Sequence, residues 1–256
     1  PSVASLRTTP PDRRPPSARW SFVGFGDPDF GAATSKGSSG APAYRASFEP
    51  LPGSAVELRA MARTLGSPPG HVRLGDQATE TAIKTAPDLP GAGVVAIATH
   101  GLLSNELEGL NEPALVLTPP GQVTAQDDGV LTASEAAALD LSAEWVILSA
   151  CNTAGADGKP GADALSGLAR AFLYAGARAL LVSHWRVFDD ATAALTVETL
   201  AIQKADPKLT KARAVQAAER AVRTGRRRDG TPMPGWRPEW AHPAYWAPFV
   251  LISAGG

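Results

Sequence analysis

A cysteine and a histidine are the residues best placed in this sequence to perform nucleophilic chemistry. Cys151 is the only cysteine and follows the short apolar run 145–148, and His100 follows a similar run at 94–98. Such runs are typical of strands buried in a parallel sheet, and open α/β sheets place reactive groups beyond the carboxyl ends of their strands. If the two strands are neighbours, we expect His100 and Cys151 to face one crevice.

The pair predicts acyl transfer through a covalent intermediate. His100 would assist attack by the Cys151 thiolate on a peptide carbonyl and would then protonate the leaving amine. The backbone N–H groups of Gly101 and Cys151 are the candidates for the oxyanion site, where one donor is typically worth about 2.7–4 kcal/mol. The sequence indicates no third residue that orients His100.

A structural role is the alternative for both residues. A free cysteine is most often an inert core residue, and a lone histidine is more often structural than catalytic. The position of Cys151 after a strand, rather than within the apolar run, favours an accessible thiolate. The remaining histidines, at positions 71, 184 and 242, lack metal-ligand spacing with the cysteine. We therefore expect no zinc site and no other cofactor.

Composition limits the classes of partner and compartment. The chain has 256 residues and a formal net charge of −1, which argues against bulk attraction to nucleic acid or acidic membranes. A single cysteine excludes an internal disulfide and favours a reducing compartment, which predicts a cytoplasmic protein. No apolar run approaches the roughly 20 residues of a membrane span. The N-terminus lacks an initiator methionine and a signal-peptide core, so we expect part of a longer protein.

Alternating strand and helix patterns predict a three-layer α/β/α domain with a mostly parallel central sheet over residues 20–256, after an irregular arm at 1–19. Ser54 and Glu57 form a capping-box signature and predict a helix over 55–65. The same signature at Thr132 and Glu135 predicts a second helix. The basic run Arg226-Arg227-Arg228 is interpreted as a solvated loop, with a protease-sensitive site as the alternative.

Considered together, these residues resemble a CHAT domain, a caspase- and separase-like cysteine peptidase family often found beside tetratricopeptide repeats. The resemblance covers nearly the whole chain from residue 20, and the family's catalytic pair corresponds to His100 and Cys151. It is carried by Leu51-Pro52-Gly53 with Glu57, Ala98-Thr99-His100-Gly101, Asp128 to Thr132, Leu148-Ser149-Ala150-Cys151-Asn152-Thr153 and Tyr245 to Phe249. It implies a caspase-like fold and an active peptidase.

The resemblance also implies a substrate pocket. In separase-like members an acidic residue four positions after a tryptophan receives a basic side chain, and Asp189 occupies that place here. A carboxylate in the P1 pocket would pair with arginine or lysine. Capping the next helix is the alternative role of Asp189, for which Asp190 competes. Metacaspases often carry an aspartate two residues before the cysteine, where this chain has Ser149. Asp157 and Asp163 are further candidates.

The function implied is a cysteine endopeptidase that cleaves a protein partner after a basic residue. Family habit implies control by a repeat or sensor module outside the chain, in a bacterial signalling or defence system. A bacterial pore-forming gasdermin or another defence effector is the implied substrate, with no direct contact to nucleic acid or membrane. The alternative is a catalytically dormant interaction domain in a signalling scaffold.

Overall fold

The computed structural model describes residues 18–31, 48–149, 162–183 and 188–253. The strands are β1 (Ala18–Pro28), β2 (Val72–Gly75), β3 (Ala92–Ala98), β4 (His100–Leu102), β5 (Ala114–Val116), β6 (Val130–Thr132), β7 (Trp145–Leu148), β8 (Ala179–Ser183) and β9 (Phe249–Ser253). The helices are α1 (Pro52–Leu65), α2 (Glu80–Thr85), α3 (Ala133–Ala137), α4 (Ala162–Ala175), α5 (Asp189–Ala205) and α6 (Lys211–Thr224). Within these ranges, no helix combines the length and apolar character needed to cross a membrane.

Six strands form the central sheet in the order β2-β1-β3-β7-β8-β9. All neighbouring pairs are parallel except β8 with β9, which is antiparallel at the edge. Strands β4, β5 and β6 form a separate antiparallel sheet in which β5 pairs with both β4 and β6. The predicted fold class, a mostly parallel α/β sheet with helices, is confirmed.

Helices cover both faces of the central sheet. One apolar core joins α2, α3 and α4 to the face of β3 that carries Val95 and Ile97. A second core joins α1, α5 and α6 to the opposite face, which carries Val94, Ala96 and Ala98. Both faces of β3 are buried because parallel strands in this architecture are covered on each side. This accounts for the continuous apolar run that precedes His100.

The start of α1 differs from the sequence prediction. Leu51 is the N-cap residue, and no side chain caps the helix. Ser54 instead lies inside the first turn, where its hydroxyl donates to the Leu51 carbonyl (2.8 Å) and accepts from the Asp27 N–H (2.8 Å). The predicted Ser54–Glu57 capping box is therefore wrong, because Pro52 begins the helix earlier, at a position that suits proline. Glu57 is buried within the fold.

The other capping prediction is confirmed. The Thr132 hydroxyl accepts from the Glu135 N–H, and the Glu135 carboxylate accepts from the Thr132 N–H (2.9 Å), which completes the capping box of α3. The preceding turn is held by Glu80, whose Oε2 accepts from the N–H groups of Asp128 (2.9 Å) and Gly129 (3.0 Å). This buried carboxylate fixes the chain between β5 and β6.

Candidate active site

The ends of β3 and β7 define the edge of the sheet at which the predicted reactive residues follow. The two strands are parallel neighbours, and Ile97 pairs with Leu148, 51 positions later. His100 and Cys151 are separated by the same 51 positions in the sequence. The Ser149 N–H extends the pairing beyond β7, because it donates to the Ile97 carbonyl (3.0 Å). The expectation that these strands are neighbours is confirmed, and Cys151 itself lies outside the described residues.

His100 is held by contacts on its ring. Nε2 lies 2.8 Å from the carbonyl oxygen of Glu49. A carbonyl oxygen only accepts, so Nε2 carries the proton and Nδ1 is left with its lone pair. The rings of Phe30 and Phe48 pack against the imidazole at centroid distances of 5.6 Å and 5.2 Å. The orienting group that the sequence did not reveal is thus a backbone carbonyl.

Gly101 follows His100 in β4 and is buried. It pairs with Leu115 in the antiparallel ladder between β4 and β5. This ladder fixes the backbone beside the imidazole. The role of the Gly101 N–H as an oxyanion donor stays a prediction.

Glu57 is the functional candidate that sequence reasoning missed. Its Oε1 accepts hydrogen bonds from the hydroxyls of Ser149 (2.8 Å) and Thr196 (2.9 Å). The Glu57 carboxylate, which comes from α1, therefore lies at the end of β7. Its partner Ser149 stands two residues before Cys151 in the sequence. One signal was present in the sequence. Glu57 shares the apolar face of α1 with Met61 and Leu65 at intervals of four, which is an unusual place for a charge.

Asp189 lines the same small cavity as Glu57 and Ser149. It is the first residue of α5, and the N-cap position belongs to Phe188, so the alternative of a helix-capping aspartate is wrong. The Asp189 carboxylate packs against Gly53, where an added Cβ would lie 2.2 Å from Oδ2. The neighbouring Asp190 points elsewhere and pairs with Arg237 at 2.8 Å.

A small cavity joins these groups. It is lined by Leu51, Gly53, Ser54, Glu57, Thr99, Ser149, Asp189 and Thr192, and its volume is about 20 Å³. The hydroxyl of Thr192 is buried and has no hydrogen-bond partner among the described residues. The cavity holds about one water molecule. Among the described residues, this space is smaller than an arginine or lysine side chain.

The electrostatics of the cavity centre on Glu57. Burial raises the pKa of Glu57 to about 7, the Ser149 and Thr196 hydrogen bonds oppose this rise, and the nearby Asp189 charge adds to it. A cation beside the carboxylate would favour its ionised form and lower this pKa. Near neutral pH, Glu57 is thus poised to lose its proton when a basic group binds.

Other residues singled out in the sequence lie away from this cavity or outside the described ranges. Cys151, Asp157, His184, Trp185 and the Asp163 side chain fall outside. The His71 ring contacts the Phe22 carbonyl (3.2 Å), and the His242 ring accepts from the Ala244 N–H (3.2 Å). These two histidines therefore have structural partners.

Comparison with known families agrees with the fold. The family model of the CHAT domain matches residues 1–254, essentially the whole chain. The chain belongs to the CHAT domain family, which is caspase-like and related to proteases. No curated protein matches the chain with significant similarity.

Proposed function

We propose that the chain is a cysteine endopeptidase that uses Cys151 as nucleophile and His100 as acid and base. The observation that carries this proposal is the equal spacing of 51 positions, in the β3–β7 register and between His100 and Cys151. In the sequence, each residue stands three positions after a member of the Ile97–Leu148 pair. Membership of a protease-related family supports the same reaction class.

The proposed mechanism follows from the tautomer of His100. Nδ1 takes the thiol proton, and the Cys151 sulfur attacks the carbonyl carbon of the substrate, while the N–H groups of Gly101 and Cys151 stabilise the oxyanion. The C–N bond then breaks, and His100 returns the proton to the leaving amine. Water, activated by His100, hydrolyses the thioester and regenerates the thiol. The Glu49 carbonyl and two phenylalanine rings keep the imidazole oriented throughout.

We propose a basic P1 residue because two carboxylates flank the cavity. Asp189 lies at the exposed side and Glu57 at the buried side. A guanidinium or ammonium group between them would form charge-assisted hydrogen bonds and would ionise Glu57. The absence of an acidic residue at Ser149 is offset, since the Ser149 hydroxyl bonds to Glu57.

Control by another module is part of the proposal. The cavity between the described residues measures only about 20 Å³, and we propose that it widens when substrate binds. We propose that a repeat or sensor module outside this chain, in a cytoplasmic bacterial defence or signalling system, supplies that change. The substrate would be a protein such as a gasdermin or another defence effector. A dormant interaction domain is the alternative, and the small volume of the cavity among the described residues is the observation that favours it.

The decisive experiment is cleavage of fluorogenic peptides that end in Arg, Lys, Asp or Leu, with Cys151→Ala as the matched inactive variant. We expect cleavage after Arg or Lys that is lost in Cys151→Ala. Cleavage after Asp would keep the pair and reject the basic pocket. If the natural full-length protein with its activator cleaves none of the peptides and no protein partner, the dormant interaction domain is the better description.

A further inference from the structure

A second, larger cavity lies along α6 and the loop that follows it. It is an open cleft of about 940 Å³. Its lining includes six arginines, Arg213, Arg220, Arg223, Arg226, Arg227 and Arg228, together with Glu219 and Trp246. The chain as a whole carries a net charge of −1. Positive charge is therefore concentrated in the cleft, although the net charge of the whole chain is close to zero.

Two of these arginines are neutralised within the fold. Arg227 pairs with the buried Glu198 (3.0 Å), and Arg228 pairs with Asp206 (3.2 Å). The run 226–228 is therefore more than the solvated loop expected from the sequence, since Arg227 anchors it to α5. These two pairs shape the end of the cleft and leave little free charge there.

The other four arginines have no ion pair with any residue that the structure describes. Arg213, Arg220, Arg223 and Arg226 are all exposed. Among the described residues of the lining, the acidic one is Glu219, which faces four exposed arginines and whose pKa is raised by burial. The cleft thus presents several guanidinium groups whose charge is not balanced by the lining.

The spacing of these arginines fits an extended ligand. Arg213, Arg220 and Arg223 recur at intervals of seven and three along α6, which places them on one face of the helix. Ten residues of helix span about 15 Å, close to the length of five extended residues. Guanidinium groups bind carboxylates through paired hydrogen bonds. We propose that the cleft binds an acidic segment of a protein partner, about five residues long and rich in aspartate and glutamate.

Trp246, the aromatic residue of the described cleft lining, favours a peptide ligand over a nucleic acid. Single-stranded nucleic acids need open aromatic faces on which bases stack. Trp246 already has the Arg223 guanidinium over its ring at 5.7 Å, and its ring N–H donates to the Ala241 carbonyl (3.3 Å). No second aromatic side chain is among the described residues that line the cleft. The cleft therefore favours a ligand that binds through ion pairs over one that binds through base stacking.

The cleft also approaches the candidate active site. Trp246 follows Tyr245, whose ring stacks on Phe188 with centroids 4.3 Å apart. Phe188 directly precedes Asp189. An acidic segment bound at this end would lie near the predicted P1 cavity. The binding proposal itself stands independently of any peptidase activity.

The test measures binding of a fluorescein-labelled octapeptide of alternating Asp and Glu by fluorescence anisotropy at low salt. The double variant Arg213→Gln/Arg220→Gln is compared with Arg63→Gln/Arg170→Gln, which removes two exposed arginines from other helices. We expect about tenfold weaker binding in the first variant and no change in the second. Equal unfolding midpoints verify that both variants fold.

Four results would overturn the proposal. One is absence of binding by the native chain, and another is an equal loss in both double variants, which would indicate diffuse attraction. The third is tighter binding of a single-stranded oligonucleotide of the same charge through the same arginines. A lysine octapeptide serves as the matched negative probe, and its binding would exclude charge recognition.

Discussion

The Ser149 hydroxyl donates a hydrogen bond of 2.8 Å to the buried carboxylate of Glu57. This bond joins the first helix of the fold to the end of β7, two residues before Cys151. The same carboxylate accepts from Thr196 of α5, so one buried group connects three elements at the sheet edge. Asp189 lines the same cavity as Glu57, so two carboxyl groups lie around it.

Replacement of Glu57 by glutamine should reduce selectivity for basic P1 residues. Glutamine keeps the shape and can accept from Ser149 and Thr196, but it cannot ionise. We expect about tenfold lower kcat/KM for Arg peptides, with a smaller change for Leu peptides. Preference for Arg should rise with pH through about 7 in the native chain and stay flat in Glu57→Gln. Glu219→Gln, a partly buried glutamate on α6, is the control.

The same substitution should change the pH dependence of stability. Burial raises the pKa of Glu57 from its ordinary value to about 7 in the folded chain. Between those values the folded state binds more protons than the unfolded state, so stability falls as pH rises through this window. The loss contributed by Glu57 is about 3 kcal/mol. Urea unfolding at pH 5 and pH 8 should show a smaller difference in Glu57→Gln, and an unchanged difference would contradict this assignment.

Local sequence patterns predicted most of the central sheet and the pair of strands that precede His100 and Cys151. These strand predictions succeeded because a short apolar run bounded by turn residues fits few environments other than a buried strand. The role proposed for Glu57 was missed in the sequence, because its spacing from Ser54 also fits a capping box. Two features distinguish a buried carboxylate from a capping box. Pro52 starts the helix before Ser54, and Glu57 accepts a hydrogen bond from Thr196, which lies 139 positions away. Likewise, a backbone carbonyl such as that of Glu49 carries no side-chain signature.

Gly53→Ala should impair the cavity without changing any charged residue. An added Cβ would lie 2.2 Å from Oδ2 of Asp189, so the aspartate must move away from α1. We expect weaker discrimination between Arg and Leu peptides, seen mainly as a higher KM for Arg. Gly70→Ala is the matched control, because nothing lies within 4 Å of a Cβ there. Equal selectivity in both variants would show that Asp189 does not contact the P1 side chain.

Phe48→Ala should lower kcat more than it raises KM. The Phe48 ring packs on the His100 imidazole with centroids 5.2 Å apart, and its loss leaves the imidazole held by the Glu49 carbonyl and Phe30. A less oriented base gives about tenfold slower turnover. Peptide cleavage should be compared with Tyr174→Ala, which removes an aromatic ring that is 80% exposed. An unchanged kcat would contradict the orienting role.

Lys84→Met should destabilise the fold through a buried carboxylate, that of Glu80. The Lys84 ammonium contacts Glu80 and donates to Glu135 (2.7 Å), while Glu80 is fully buried. Burial raises the pKa of Glu80 to about 7, and Lys84 opposes that rise, so removing the lysine should raise this pKa further.

The stability deficit of Lys84→Met should therefore grow as pH rises from 6 to 8, because the folded chain retains a proton that the unfolded chain releases. We expect a loss of about 3 kcal/mol at pH 8. Lys208→Met, at an exposed position, is the control. Adding Glu80→Gln to Lys84→Met should restore part of the loss, because glutamine carries no proton whose retention depends on pH. Urea unfolding of the four chains measures each value, and equal deficits at both pH values would show that Glu80 does not depend on Lys84.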